Sequence, residues 1–354
     1  MGKYYVTERR PEDAHMKNAT GKARADVERT LAGEGFIAVK IDLAFGGENT
    51  SLKASLKEHW ETYGIWKDRL SFLGRGDTLV IQFPTISHCI YLSLLSTELR
   101  AKGVKVVFLI HDLEKLRFIL EKDAPKKTQI RRALDESVVL KTASKIIAHN
   151  DTMVNYLKEE GIPSKKLISM GLFDYLLPDD FSSLNHDLSA EVIIAGNLDS
   201  EKVGYLADIG KVPGVTFELY GVGYKDNADN AVYNGSFLPD ELPAALRGSF
   251  GLVWDGTSIE TCDGNYGNYL RYNDPHKCSL YLASGFPVIV WDQSALAQYI
   301  TSNRLGLAVS SLRDIETAVS RLGAADYADM CENVNRVGAQ LREGYFLRNA
   351  LEKI

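Results

Sequence analysis

Four cysteines in 354 residues, Cys89, Cys262, Cys278 and Cys331, include no Cys-x-x-Cys pair. A structural zinc site draws on such close pairs, so none is expected. The four read as reduced thiols of a cytoplasmic protein. No apolar run approaches the ~20 residues that span a bilayer. The opening MGKYYVTERRPED turns polar at once and has no apolar core, so it does not read as a signal peptide. Val6 breaks the myristoylation pattern after Met1-Gly2. Positive charge is in deficit: 41 Lys and Arg against 47 Asp and Glu leave −6. That excludes a nonspecific nucleic-acid binder, which needs a basic surface.

The common phosphate motifs are missing too. Gly21-Lys22 lacks a Walker A context, with Met16 where the first glycine belongs and Ala23 in place of Ser or Thr. Gly221-Val222-Gly223 has Asp226 where a dinucleotide fingerprint needs its third glycine. There is no G-x-S-x-G, no H-E-x-x-H and no Asp-x-Asp to grip a metal–diphosphate. A nucleotide site would therefore be metal-free, with phosphate charge met by helix ends and by Lys or Arg.

What is present is alternation. Strands are expected at 4–7, 36–41, 78–83, 104–110, 145–148 and 167–169. Helices are expected at 21–32, 87–102, 113–122, 126–142 and 152–160. The run VKVVFLI is nearly continuous, as in a central strand covered on both faces. LLPDDFSSLNHDLSAE, 176–191, has linker composition. The alternation then resumes, with strands at 192–195, 216–220, 250–254, 287–291 and 306–309. Helices are expected at 202–208, 240–246, 275–283, 294–301 and 312–322. This predicts an α/β protein of two Rossmann-like domains facing an interdomain cleft. The N-terminal domain would span 1–180 and the C-terminal domain 188–326. A long helix over 327–354 could cross back to the first.

Ligands of such sheets sit beyond the carboxyl ends of strands. In the second half these ends carry Gly196-Asn197, Tyr220-Gly221 and Trp254-Asp255-Gly256. Backbone amides at Gly196 and Asn197 could face a diphosphate, and Tyr220 or Phe237 could stack on a base. The richest stretch is NYGNYLRYNDPHKCSLYLASGFPVIVW, 265–291. Asp274 suits an N-cap and Pro275 the first helical position. The amides of His276, Lys277 and Cys278 would then lie at a helix end that favours an anion, and Lys277 adds a full charge. In the first half the central strand ends at His111-Asp112. Asp112 could be a general base toward an acceptor hydroxyl, with His111 assisting or binding the acceptor. Equally, Asp112 could cap the helix from Leu113. Thr20 and Lys22 could reach phosphate. Lys115, Arg117, Lys122, Lys126, Lys127, Arg131 and Arg132 read as solvated helix charges or as a face for anionic lipid headgroups.

GNLDSEKVGYL, FGLVWDG and YGNYLRYNDPHKCSLYLASGFPVIVW together resemble the GT-B glycosyltransferases. Within them the chain is similar to bacterial β-1,6-galactofuranosyltransferases and to the related glucosyltransferase that extends sugar chains on serine-rich adhesins. The likeness is strongest over 192–310 and extends over 1–175. It implies transfer of galactofuranose or glucose from a UDP-sugar bound by the C-terminal domain. The acceptor would be a glycan or glycosylated carrier held by the N-terminal domain, with no metal required. It implies that Asn273, Asp274, Pro275, His276, Lys277 and Ser279 line the UDP site, with Lys277 on the diphosphate and Thr20 closing over the donor. It also implies a homo-oligomer, and the basic face allows contact with the inner membrane surface. Retaining GT-B enzymes often carry a Glu-rich donor motif where this chain has Pro275-His276-Lys277, so stereochemistry stays open. Two rival readings share the architecture: a non-hydrolysing UDP-sugar epimerase and a non-catalytic partner subunit of a transferase. The first needs converging carboxylates and histidines, of which only His111, Asp112 and Asp255 can be named. Intact Lys277 and Asp112 weigh against the second.

Overall fold

In the computed structural model the described residues are 1–9, 19–42, 52–87, 89–118, 134–178, 181–183 and 186–354. Val106 to Ile110 are all fully buried, and a run with apolar side chains on both faces is stable only inside a parallel sheet covered by helices. Six strands form the first sheet: β1 (Lys3–Arg9), β2 (Ile37–Asp42), β3 (Thr78–Phe83), β4 (Lys105–Ile110), β5 (Lys145–Ala148) and β6 (Leu167–Ser169). They are parallel, in the order β2-β1-β3-β4-β5-β6. The order reverses between β1 and β3. Helices α1 (Ala19–Gly33), α2 (Leu52–Arg69), α3 (Leu92–Ala101), α4 (Glu114–Arg117), α5 (Leu140–Thr142) and α6 (Asp151–Glu159) connect them.

The second sheet holds β7 (Glu191–Asn197), β8 (Thr216–Val222), β9 (Ala231–Tyr233), β10 (Phe250–Val253), β11 (Val288–Trp291) and β12 (Gly306–Val309). It is also parallel, in the order β12-β11-β10-β7-β8-β9. Counted from β7 this is 3-2-1-4-5-6, the dinucleotide-fold order, reversing between β7 and β10. Its helices are α7 (Ser200–Val203), α8 (Leu242–Ala245), α9 (Gly264–Tyr269), α10 (His276–Ala283), α11 (Ala297–Ser302), α12 (Ile315–Ser320) and α13 (Ala324–Arg342), after which the chain forms α14 (Tyr345–Leu351). One face buries Val192, Ile194, Phe217, Leu252, Trp254 and Trp291 with Tyr205, Leu206 and Ile209. The chain divides into two compact units, Met1–Met16 with Val27–Met170 and Arg348–Ile354, and Lys17–Asp26 with Gly171–Leu347.

The two-sheet α/β expectation holds, and several elements differ in detail. Helix α2 and the short edge strand β9 were not anticipated, and the Gly/Tyr-rich loop contains α9. The expected long terminal helix is broken at Gly344, whose φ of 76° interrupts the helical run between α13 and α14. The helix expected over 113–122 is described only as α4, since 119–122 lie outside the described residues. Of the helix expected over 126–142, residues 126–133 lie outside them, Leu134–Val139 winds as a π-helix and α5 follows. Of the 176–191 segment, Glu191 already belongs to β7, and the described residues before it form no helix or strand, yet they are anchored. His186 stacks on Phe286 at 4.6 Å, and its ring nitrogens meet Tyr327 Oη at 2.7 Å and the Gly285 carbonyl at 3.1 Å.

Candidate functional site

Two groups of side chains gather at strand ends, one in each unit. In the first unit the carboxyl edge of the sheet brings together Glu8 of β1, Gln82 of β3, and His111 and Asp112 after β4. The Glu8 carboxylate accepts the backbone N–H groups of Ile86 and Ser87, at 2.7 and 3.0 Å. His111 Nε2 lies 2.7 Å from Gln82 Oε1. The His111 amide donates to the Phe83 carbonyl at 2.7 Å, which fixes the start of the loop. Behind it His149 is buried, and burial pushes its imidazole down to about 4 while hydrogen bonds to the backbone of His111 and Ile110 pull upward. Asp112 is paired with Arg117 at 3.2 Å. It does not cap the helix, because the N-cap of α4 is Leu113. The two expected residues are thus adjacent at a strand end, the carboxylate restrained by a guanidinium and the imidazole by an amide.

In the second unit the site is built on α10. Its N-cap is Pro275, with extended backbone (φ −64°, ψ 131°) and no side-chain cap. Asp274 is therefore one position too early to be the N-cap expected from sequence, and it is buried. The Cys278 amide already donates to the Pro275 carbonyl at 2.8 Å, so among the described residues the open amides are those of His276 and Lys277. The helix is held by Tyr281, whose hydroxyl accepts the Ala195 N–H at 2.7 Å at the end of β7. Asn273 bonds back to Tyr269 through its amide at 3.1 Å, and its buried side-chain oxygen has no partner among the described residues.

Lys277 is not the exposed charge that its position suggested. Its Nζ donates to Asp255 Oδ1 at 2.7 Å and to the Trp254 carbonyl at 2.9 Å. The two side chains are 11% and 7% exposed. Burial pushes the ammonium below its ordinary range, the Asp255 charge pulls it back, and Lys202 adds a further downward push. Asp255 accordingly serves as the counter-ion of Lys277. His276 is likewise engaged: Nε2 meets the Asp174 carbonyl at 3.2 Å, and the ring lies 4.9 Å from that of Tyr175. Burial lowers its pKa to about 4, so the imidazole is neutral. Cys278 is buried and its thiol is pushed up by burial, which makes it inert.

Other expected residues move out of the site. Tyr220 is 2% exposed and its hydroxyl accepts the Arg247 N–H at 3.1 Å, so it packs in the core and cannot stack on a base. Phe237, 36% exposed, remains open to such a contact. Gly196 and Asn197 lie inside β7, in register with Gly221 and Val222, so their backbone belongs to the sheet and not to a loop beyond it. Ser279 is buried. Thr20 lies in α1 and its side chain falls outside the described residues. Lys22 is saturated by Asp26 Oδ1 at 2.8 Å, Asp240 Oδ1 at 2.8 Å and the Leu176 carbonyl at 2.6 Å, leaving no donor for phosphate. The sequence reading missed Arg271, between α9 and α10. Its guanidinium lies 4.4 Å from the centre of the Trp291 ring, and no carboxylate forms an ion pair with it among the described residues. Its signal was a cation four residues before the Asp274-Pro275 break, on the same loop. Of the basic face, Lys115 pairs with Glu160 at 2.6 Å, Arg117 pairs with Asp112, and Lys122, Lys126, Lys127, Arg131 and Arg132 lie outside the described residues. Among the described residues no group of three or more His, Cys, Asp or Glu could hold a metal, and no helix is long and apolar enough to cross a membrane.

The chain is 35% identical over 287 residues to the β-1,6-galactofuranosyltransferase WbbI of Escherichia coli, covering 80% of each chain. It is 27% identical to glucosyltransferase 3 of Streptococcus gordonii, again over 80% of each. Among solved structures it superposes on sucrose-phosphate synthase of Thermosynechococcus elongatus with a TM-score of 0.68 at 13% identity, over 99% of this chain and 98% of that one. It superposes on Anabaena HepE in complex with UDP and glucose with a TM-score of 0.57 at 10% identity, over the whole of both. At such identities these structures speak for the fold alone. The family models for the glucosyltransferase 3-like N-terminal and C-terminal domains match residues 3–172 and 192–354. The chain belongs to the glucosyltransferase 3-like family and is a glycosyltransferase of GT-B fold.

Proposed function

We propose that the protein transfers a hexose, galactofuranose or glucose, from a UDP-sugar to a hydroxyl of a glycan or glycosylated carrier, without a required metal. The observation that carries this reading is the 35% identity, across 80% of both chains, to an enzyme named for β-1,6-galactofuranosyl transfer. The site chemistry is consistent with it. The amides of His276 and Lys277 open at the positive end of α10, where a phosphate gains from the helix dipole. An ammonium has three donors, and Lys277 uses two on Asp255 and Trp254, which leaves one for a phosphate oxygen. Arg271, on the loop that leads into α10, supplies a second cation, and preorganised charge of this kind stabilises UDP as it departs. In the first unit Asp112 is the base that takes the acceptor proton if the transfer inverts, and His111 orients a sugar hydroxyl. The same reading makes the protein a cytoplasmic homo-oligomer that meets its glycosylated carrier at the inner membrane face.

Calorimetric titration with UDP, UDP-glucose and UDP-galactofuranose, repeated in EDTA, tests this. Micromolar binding that EDTA leaves unchanged is the expected result, and the rank order gives the donor. Absence of binding by all three would overturn the donor site, and binding abolished by EDTA would overturn the metal-free reading.

A further inference from the structure

Gln82 is 4% exposed at the end of β3, and its side-chain amide is shared between two partners of opposite demand. Its Nε2 lies 3.3 Å from Glu28 Oε1 of α1, and its Oε1 lies 2.7 Å from His111 Nε2. An ionised carboxylate only accepts hydrogen bonds, so the amide must turn its NH2 toward Glu28. Its carbonyl oxygen then faces His111, and that oxygen also only accepts. The His111 nitrogen at 2.7 Å must therefore carry the proton. The reversed amide would set its oxygen against the Glu28 carboxylate, a repulsion with little water available to relieve it. The ring is further restrained because the His111 amide is tied to Phe83 and its backbone bonds to buried His149.

We infer that Gln82, oriented by Glu28, is a positioning residue that fixes His111 as the Nε2–H tautomer and puts the ring's lone pair on Nδ1. The two ring nitrogens then differ in role. Nε2 is committed to the sheet, and Nδ1 is the atom that accepts a hydrogen bond or proton. The tautomer stands on this geometry alone. Its consequence for transfer, that a sugar hydroxyl would be oriented by donating to Nδ1, rests on the proposed function.

Two-bond proton–nitrogen correlation spectra of the full-length protein labelled with 15N-histidine read the tautomer directly. They are recorded without donor or acceptor at about pH 8, where an ordinary imidazole is neutral. The His111 signals are identified by their loss in His111→Gln. The wild-type protein is expected to show a pyrrole-type Nε2 and a pyridine-type Nδ1. Gln82→Leu and Glu28→Gln are each expected to lose this single pattern and show a mixture of both tautomers. Glu28 is only partly buried, so the second variant keeps the test open should the first fail to fold. A wild-type Nδ1–H tautomer, or a pure Nε2–H pattern persisting in a folded variant, would overturn the inference. Because no substrate is present, the spectra are independent of whether the enzyme binds UDP-sugars.

Discussion

At the residue scale the decisive arrangement is the buried pair of Lys277 and Asp255. Taking both charges out of water costs several kcal/mol, and the pair is tolerated because the carboxylate and the Trp254 carbonyl meet the ammonium at close range. Removing one partner leaves the other charge buried and alone. Asp255→Leu should therefore destabilise the protein by about 3–5 kcal/mol. Lys277→Met should cost a similar amount, and Asp255→Leu with Lys277→Met should recover most of the loss. Urea denaturation of the three variants checks this, and a double variant as unstable as the sum of the singles would show that the pair is not the unit. Lys22 illustrates the same rule more fully, since its ammonium meets Asp26, Asp240 and the Leu176 carbonyl. The partner of Lys277 could not be identified from the sequence, and of those of Lys22 only Asp26, one helical turn on in α1, was within local reach. Asp255 and Asp240 are brought to them by the fold, and a local pattern shows only a cation near a helix start.

At the scale of elements, α10 is set by its contact with the sheet. A Cβ on Gly251 of β10 would lie 2.1 Å from the Tyr281 ring, so the absence of a side chain there is what lets the helix approach. Gly251→Ala should push the ring away and weaken its hydroxyl bond to Ala195. The expected loss is about 2 kcal/mol or more by overpacking. Donor affinity should fall with it, because α10 carries the open amides. Thermal unfolding with and without UDP checks both effects, and an unchanged midpoint would remove Gly251 from the support of the helix. Strands such as β3 and β5 were legible to the residue because burial on both faces writes short apolar runs, 79–81 and 146–148. Helix α2 was not, for a physical reason. It buries Tyr63 and Trp66 but exposes Trp60 at 55% and Ile65 at 36%, and Gly64 sits in its middle, so no clean apolar stripe marks it. Strand β9 has three residues, two of them exposed apolar ones at a sheet edge. The start of α10 was placed one residue early because Asp-Pro also suits a cap followed by a first turn, and only the extended ψ of Pro275 separates the two.

At the scale of the whole molecule, neutral imidazoles couple stability to pH. His149 in the first unit and His276 in the second are each lowered by burial to about 4, and burial also lowers His186 in the linker. In the unfolded chain these rings titrate near 6.5. As pH falls through that value the unfolded state takes up protons that the folded state refuses. Stability from these groups is therefore complete above about pH 7 and declines as the pH falls toward 4. Below about pH 4 both states are protonated and the decline from His149 and His276 ends. For His149 the loss is on the order of 3 kcal/mol, since one pKa unit is worth about 1.4 kcal/mol. The lowered carboxyls of Asp77, Glu98 and Glu260 act in the same direction but in a more acidic window, because their unfolded values are already near 4. The two sources are thus separable by pH. Urea midpoints measured between pH 8 and pH 5 should fall with acidity in the wild-type protein, and His149→Gln should flatten the curve even though it lowers stability at pH 8. A wild-type midpoint constant over that interval would mean that these rings take up protons in the folded state, and so are not held neutral in the core.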